Sequence, residues 1–169
     1  MQVYLDYNAT TPVHPEVVVT MLPFFSETFA NAASPHNPGR SAEVARMRGA
    51  KQVANAANAI PNELIFTGGG TEANNIAILG TAAHAFKKGK KRIITSAVEH
   101  SAGYAPCQHL AENGYDVIFL NVDSRGMIDL DQLAMSLNEK TAMVSIILAN
   151  NETGTIQDFA AIKRIVKTA

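Results

Sequence analysis

Phe66-Thr67-Gly68-Gly69-Gly70-Thr71-Glu72-Ala73-Asn74-Asn75 is the stretch around which this sequence is organised. The run Glu63-Leu64-Ile65-Phe66-Thr67 leading into it reads as a strand, and residues 71–85 read as a helix rich in Ala, Ile and Leu. Glycines let the backbone approach a ligand and adopt positive φ. The free N–H groups and positive dipole end of the following helix attract phosphate. Taken alone the turn has two readings, a phosphate cradle or a plain strand-to-helix connection. Gly-Gly-Gly matches neither the dinucleotide fingerprint nor the P-loop, whose Lys is missing here.

Downstream of this turn, strand and helix alternate. Strands are expected at residues 63–67, 92–96, 116–120 and 142–148, and helices at 71–87, 101–112, 130–137 and 158–167. Several strands are apolar runs without alternation, as expected when both faces of a parallel sheet are covered. The fold class is α/β. Asn121-Val122-Asp123-Ser124-Arg125-Gly126 is a turn. Phe159, Ile162, Ile165 and Val166 recur at helical spacing, so the last segment should pack on the sheet as a crossover to another parallel strand. No such strand and no C-cap Gly follow in the sequence, so it reads as interrupted: a fragment, or a chain completed by another.

Upstream the pattern is less regular. Val3-Tyr4-Leu5 is a short β-like entry before the turn Asp6-Tyr7-Asn8-Ala9-Thr10-Thr11-Pro12. Pro15 can open a helix towards Met21 and Leu22, which Pro23 should end or kink. Asn31-Ala32-Ala33-Ser34-Pro35-His36-Asn37-Pro38-Gly39 is a loop by composition. A long helix is expected over residues 40–59, with Ala42, Ala45, Gly49, Val53 and Ala56 as a small-residue face.

The 169 residues suffice for one domain with a real core, and 47% hydrophobic with 17% charged residues is a globular composition. A formal net charge of -1 leaves no electrostatic footprint for nucleic acid. The cluster Lys87-Lys88-Gly89-Lys90-Lys91-Arg92 falls where a helix ends and a strand begins, which suits a solvated turn. The single cysteine, Cys107, fits a reducing compartment and reads as a buried structural thiol rather than a nucleophile. No apolar run reaches membrane-spanning length, and the residues from Met1 to Asp6 carry no leader pattern. A cytoplasmic protein without membrane contact is expected. The five histidines show no metal-ligand spacing, so no metal site is assigned.

Three expected strands end in conspicuous polar residues at one edge, where ligands collect in open parallel sheets. The first runs into Gly70-Thr71-Glu72, the second into Glu99-His100, and the fourth into Asn150-Asn151-Glu152-Thr153-Gly154. Each has a structural reading: a helix-start histidine, turn-forming amides, a carboxylate in a first helical turn. Together a phosphate cradle, a flat imidazole and amide groups describe a site for a phosphorylated aromatic cofactor.

These motifs resemble the pyridoxal-phosphate-dependent cysteine desulfurases of the NifS/IscS type, in the class V aminotransferase family. The resemblance rests on Val3-Tyr4-Leu5-Asp6-Tyr7-Asn8-Ala9-Thr10-Thr11-Pro12, the glycine stretch, Ile94-Thr95-Ser96-Ala97-Val98-Glu99-His100 and Ala149-Asn150-Asn151-Glu152-Thr153-Gly154. It runs from about residue 3 to the end, in the family's order. It implies the N-terminal segment and most of the large domain of a fold type I transferase, incomplete at the C-terminus. Residues 1–60 would be the N-terminal segment and long helix, and 61–169 part of the cofactor-binding large domain. By this resemblance Gly70 and Thr71 hold the cofactor phosphate. His100 stacks on the pyridine ring and assists proton transfer, and Asn151 bonds the ring's phenolic oxygen. Asn8, Ala9 and Thr10 lie near the substrate entrance.

Two departures are Gly68, where Ser is common, and Asn31-Ala32-Ala33-Ser34, where the family has Asn-Pro. The family's Schiff-base Lys, the Asp at the pyridine nitrogen and the persulfide Cys come later in the fold than Ala169. Turnover and cofactor binding by this chain alone are therefore not expected. The complete enzyme would convert L-cysteine to L-alanine, passing sulfur to an acceptor protein for iron–sulfur clusters or thio-cofactors. It would do so as a homodimer or with a complementing C-terminal chain. Two other readings stand beside this one, a non-catalytic remnant or interaction module, and a fragment of another class V lyase or aminotransferase.

Overall fold

Strand β1 (Arg92–Ser96) lies between β2 (Asp116–Leu120) and β3 (Thr141–Ser145) in a parallel sheet of order β2-β1-β3. Ile93 pairs with Val117 and Met143, and Ile94 with Ile118 and Val144. Successive side chains of a strand point to opposite faces, so these two isoleucines, both 0% exposed, anchor two separate cores. On one face Ile93 packs with Ile78 and Ala82 of α4 (Gly70–Phe86) and with Cys107 and Leu110 of α5 (Ser101–Glu112). On the other, Ile94 and Leu120 pack with Leu133 of α6 (Leu130–Ser136) and Ile162 of α7 (Phe159–Thr168). Each fully buried Ile or Leu contributes about 1.5–3 kcal/mol of transfer free energy.

The strand order follows from connection chirality. The connection from β1 through α5 moves one place across the sheet, and the return from β2 through α6 to β3 moves the opposite way. Right-handed crossovers in opposite directions must use opposite faces. The chain obeys this, with α5 and α6 in different cores. Arg92 seals the amino edge, donating to Asp116 Oδ2 at 2.7 Å and to the Ser136 carbonyl at 2.8 Å.

This computed structural model describes residues 3–168. The chain forms two compact units, Met1–Phe66 and Thr67–Ala169. The first carries α1 (Pro15–Met21), α2 (Pro23–Ser26), α3 (Asn37–Ala56) and a 3-10 turn at Pro61–Glu63. Pro23 both ends α1 and opens α2. The second unit holds the sheet and α4 to α7. Met1, Gln2 and Ala169, on which the expectations about a leader and an interrupted end partly rest, lie outside the described residues.

Four expectations need correction. Residues 63–67 are not a strand. Glu63 closes the 3-10 turn and residues 64–67 are irregular, with Leu64 in extended φ/ψ but no partner strand among the described residues. Extended backbone without a neighbour makes no ladder, and Ile65 is 73% exposed. Val3–Leu5 is irregular for the same reason; Tyr4 instead donates its hydroxyl to the Asp6 carbonyl at 2.8 Å. The loop after residue 31 ends early, because His36 caps α3 by accepting from Gly39 N at 3.1 Å and Pro38 fits a first turn. A Cβ at Gly39 would collide with the Ser34 carbonyl, so only glycine closes this corner. Finally, α3 buries Gly39, Ala50 and Ala54, while the expected stripe is half-buried at Ala42, Ala45 and Gly49 and exposed at Val53 and Ala56. A smaller difference is β3, which ends at Ser145 rather than at residue 148.

Candidate active site

β1 and β3 are neighbours in the sheet but are separated in sequence by β2, so the strand order reverses between them. In doubly wound sheets this is the point where the loops diverge and a crevice opens outside the carboxyl ends. A cleft of about 500 Å³ lies there, lined by Val98, Glu99, His100 and Ser101 after β1 and by residues 150–153 after β3.

His100 is exposed and is the N-cap of α5. Its Nδ1 accepts from Ala102 N at 3.1 Å. This bond sets the tautomer: with Nδ1 an acceptor, the neutral ring carries its proton on Nε2. The helix-start reading and the cofactor reading are thus compatible, since they use different nitrogens.

Asn150 organises the opposite wall. Its Oδ1 accepts from Glu152 N at 3.0 Å and Thr153 N at 2.9 Å, and its backbone closes on Thr155 and Gly154. Gly154 takes φ +72°, a conformation that favours glycine. Asn150 Nδ2 donates across the cleft to the Val98 carbonyl at 2.9 Å. This anchored turn presents Asn151, whose Nδ2 donates to Glu152 Oε1 at 2.7 Å. Behind it Gln157, 3% exposed, donates to the Gly126 carbonyl and accepts from Ile128 N, tying the 121–128 turn to this loop.

Gly70 and Thr71 begin α4. Phe86 at the other end of α4 stacks near Tyr115, 5.5 Å between centroids, and under Lys91 Nζ at 4.7 Å, both beside the amino ends of strands. A 17-residue helix spans about 25 Å, so Gly70 and Thr71 lie at the end of α4 remote from those amino ends. The first N–H groups of a helix have no intrahelical acceptor, and a Cβ at Gly69 or Gly70 would meet nothing within 4 Å. Gly68 N, in contrast, is occupied: it donates to Glu72 Oε2 at 2.6 Å. His100 and Asn151 share one cleft, and Gly70 and Thr71 are not among its lining residues. Asn8, Ala9 and Thr10 are exposed in a turn of the first unit, closed by Ala9 N donating to the Asp6 carbonyl at 3.2 Å.

Cys107 is fully buried, and burial pushes its thiol above the ordinary value, opposed in part by Thr95 and assisted by the negative charge of Glu99. A buried, protonated thiol is a poor nucleophile. Among the described residues no group of three or more His, Cys, Asp or Glu side chains could hold a metal ion, and no helix is long and apolar enough to cross a membrane. Asn150 is a turn former, as its amide suggests, whereas its bond to Val98 and the bonds of Glu99 are not revealed by local sequence patterns. The only signal for those bonds is the place of Glu99 and Asn150 beside His100 and Asn151.

The family model for aminotransferase class V matches residues 3–169. The chain is 45% identical over 166 residues to the cysteine desulfurase IscS of Dictyoglomus turgidum, covering 98% of this chain and 42% of the relative. To the IscS of Vibrio campbellii it is 43% identical over 165 residues, covering 96% and 41%. Among solved structures, a NifS-like protein superposes with TM-score 0.94 at 40% identity, over 99% of this chain and 46% of that one. SspA in complex with cysteine superposes with TM-score 0.90 at 33% identity, over 98% and 47%. The chain thus spans less than half the length of these relatives.

Proposed function

The chain belongs to the aminotransferase class V family, and from that membership we propose that it is the N-terminal, cofactor-facing part of a cysteine desulfurase. The observation that carries this reading is the cleft at the β1/β3 reversal, with His100 on one wall and Asn151 on the other. The residues fit pyridoxal phosphate chemically. Unpaired N–H groups at the start of α4 under open space suit a phosphate. An imidazole and a carboxamide facing one crevice suit an aromatic ring with a phenolic oxygen. When bound, that cofactor supplies the electron sink for breaking bonds at an amino acid's α-carbon.

The roles of this chain's own groups follow. Gly70 and Thr71 bind the phosphate through backbone N–H and hydroxyl, while the Glu72 carboxylate holds Gly68 N and keeps the glycine turn in shape. His100 covers the ring and holds a proton at Nε2. Asn151 donates to the ring oxygen, and residues 8–10 border the substrate entrance. The substrate of the complete enzyme is L-cysteine, its product L-alanine, and its partner a sulfur-acceptor protein in the cytoplasm. The complete enzyme works as a homodimer or with a complementing chain.

On this reading the anchoring lysine, the aspartate and the reactive cysteine belong to the part of the family fold that this chain, spanning 42% of the Dictyoglomus turgidum relative, does not cover, so the chain alone is expected to be inactive. Mixing it with the C-terminal part of a relative should produce the absorbance of bound pyridoxal phosphate and form alanine from L-cysteine. A well-folded mixture that captures no pyridoxal phosphate overturns the reading. One that captures it yet leaves cysteine unchanged overturns the desulfurase assignment alone.

A further inference from the structure

The ladder between β1 and β3 ends at Thr95 and Ser145. Beyond it, two side-chain bonds hold the diverging chains together. Ile147 N donates to Glu99 Oε1 at 2.8 Å, and Asn150 Nδ2 donates to the Val98 carbonyl at 2.9 Å. Glu99 Oε1 also accepts the hydroxyl of Ser96, a residue 0% exposed, at 2.7 Å. The second carboxylate oxygen lies against α5, where a Cβ at Gly103 would come within 3.3 Å of it. One carboxylate therefore joins the end of β1, the first turn of α5 and the segment after β3. His100 follows Glu99 directly, and Asn151 follows Asn150.

We propose that Glu99 is a positioning residue that sets the span of the cleft between His100 and Asn151, and with it the width offered to the ring of a phosphorylated aromatic cofactor. Its relevance to a cofactor rests on the proposed function; its control of the span does not. The acceptor oxygen is the essential group, because two donors converge on Oε1 and a backbone N–H left without its acceptor in a partly buried place is unfavourable. The negative charge also suits the N-terminus of α5. Glutamine keeps an oxygen with two lone pairs in the same place, whereas alanine removes it.

The test uses amide exchange and side-chain resonances of the cofactor-free chain. In Glu99→Ala, exchange protection at Ile147 should fall about tenfold or more, as expected for loss of its acceptor. The His100 ring and Asn151 amide resonances should move, while protection at Ile93 and Ile94 stays intact. Glu99→Gln should restore all of them. Gly103→Ala, which presses on the same carboxylate, should move the His100 and Asn151 resonances even if Glu99→Ala fails to fold. Unmoved His100 and Asn151 resonances in the folded variants overturn the proposal, as does a glutamine variant that behaves like alanine. In the complemented assembly, Glu99→Ala should weaken capture of pyridoxal phosphate about tenfold and change its visible circular dichroism. Failure of the unsubstituted assembly to capture the cofactor would overturn the functional reading alone, since the cofactor-free resonances still decide the role of Glu99.

Discussion

Under the proposed function His100 carries two duties on one ring. Nδ1 accepts the Ala102 N–H and caps α5, leaving Nε2 as the atom free to meet a ligand. Asparagine is among the strongest N-caps but has neither a flat ring nor a basic nitrogen. His100→Asn should therefore leave the unfolding free energy of the chain within about 0.5 kcal/mol, as for other substitutions that keep the local interaction. In the complemented assembly it should lower alanine formation by roughly 10²–10⁴, the range for loss of a general acid–base group. Urea unfolding and a product assay separate the two duties; a large loss of stability with unchanged turnover would reverse the assignment. At this scale the sequence shows His100, Asn151 and the turn-forming Asn150 but not the contacts that Glu99 and Asn150 make across the cleft. Glu99 and Asn150 act on partners 48 and 52 residues away, and such contacts leave no local pattern.

Among the elements, the legible ones are those whose partners lie within the chain. Expectation and structure coincide at residues 92–96, 116–120 and 101–112, where apolar runs pair in register or pack on the sheet. Residues 63–67 have the same apolar character as β1 and fail as a strand, because pairing and not composition makes a ladder. The early start of α3 was hidden by Asn37-Pro38-Gly39, whose composition suggests a loop although Pro is well placed in a first turn. The contrast between β1 and residues 63–67 gives a direct comparison. Ile94→Ala removes a side chain 0% exposed between the sheet and α6 and α7, and should cost about 2–5 kcal/mol. Ile65→Ala, at a position 73% exposed, should change stability by no more than about 0.5 kcal/mol. Paired urea titrations measure both, and equal losses would mean that residues 63–67 are packed as a strand after all.

Over the whole molecule, both hydrophobic clusters draw every residue from Thr67–Ala169. The unit that carries the cleft thus contains its own core: two layers of helix, one on each face of β1. Just before it, Phe66 is 64% exposed, within irregular backbone that makes no ladder. Such segments are the preferred sites of proteolytic nicking, and chymotrypsin cuts after aromatic residues. Brief digestion of the native chain should therefore cleave after Phe66 early, and the fragment beginning at Thr67 should persist. That fragment should keep a cooperative urea transition, because Ile93, Ile94, Leu120 and Leu133 retain their packing partners. Its Ile147 amide should also keep its protection, since Glu99, Ser96, Val98 and Asn150 all travel with it. Mass spectrometry of the digest and exchange on the purified fragment test both points. A fragment that melts without cooperativity would mean that the core of this unit depends on residues before Thr67.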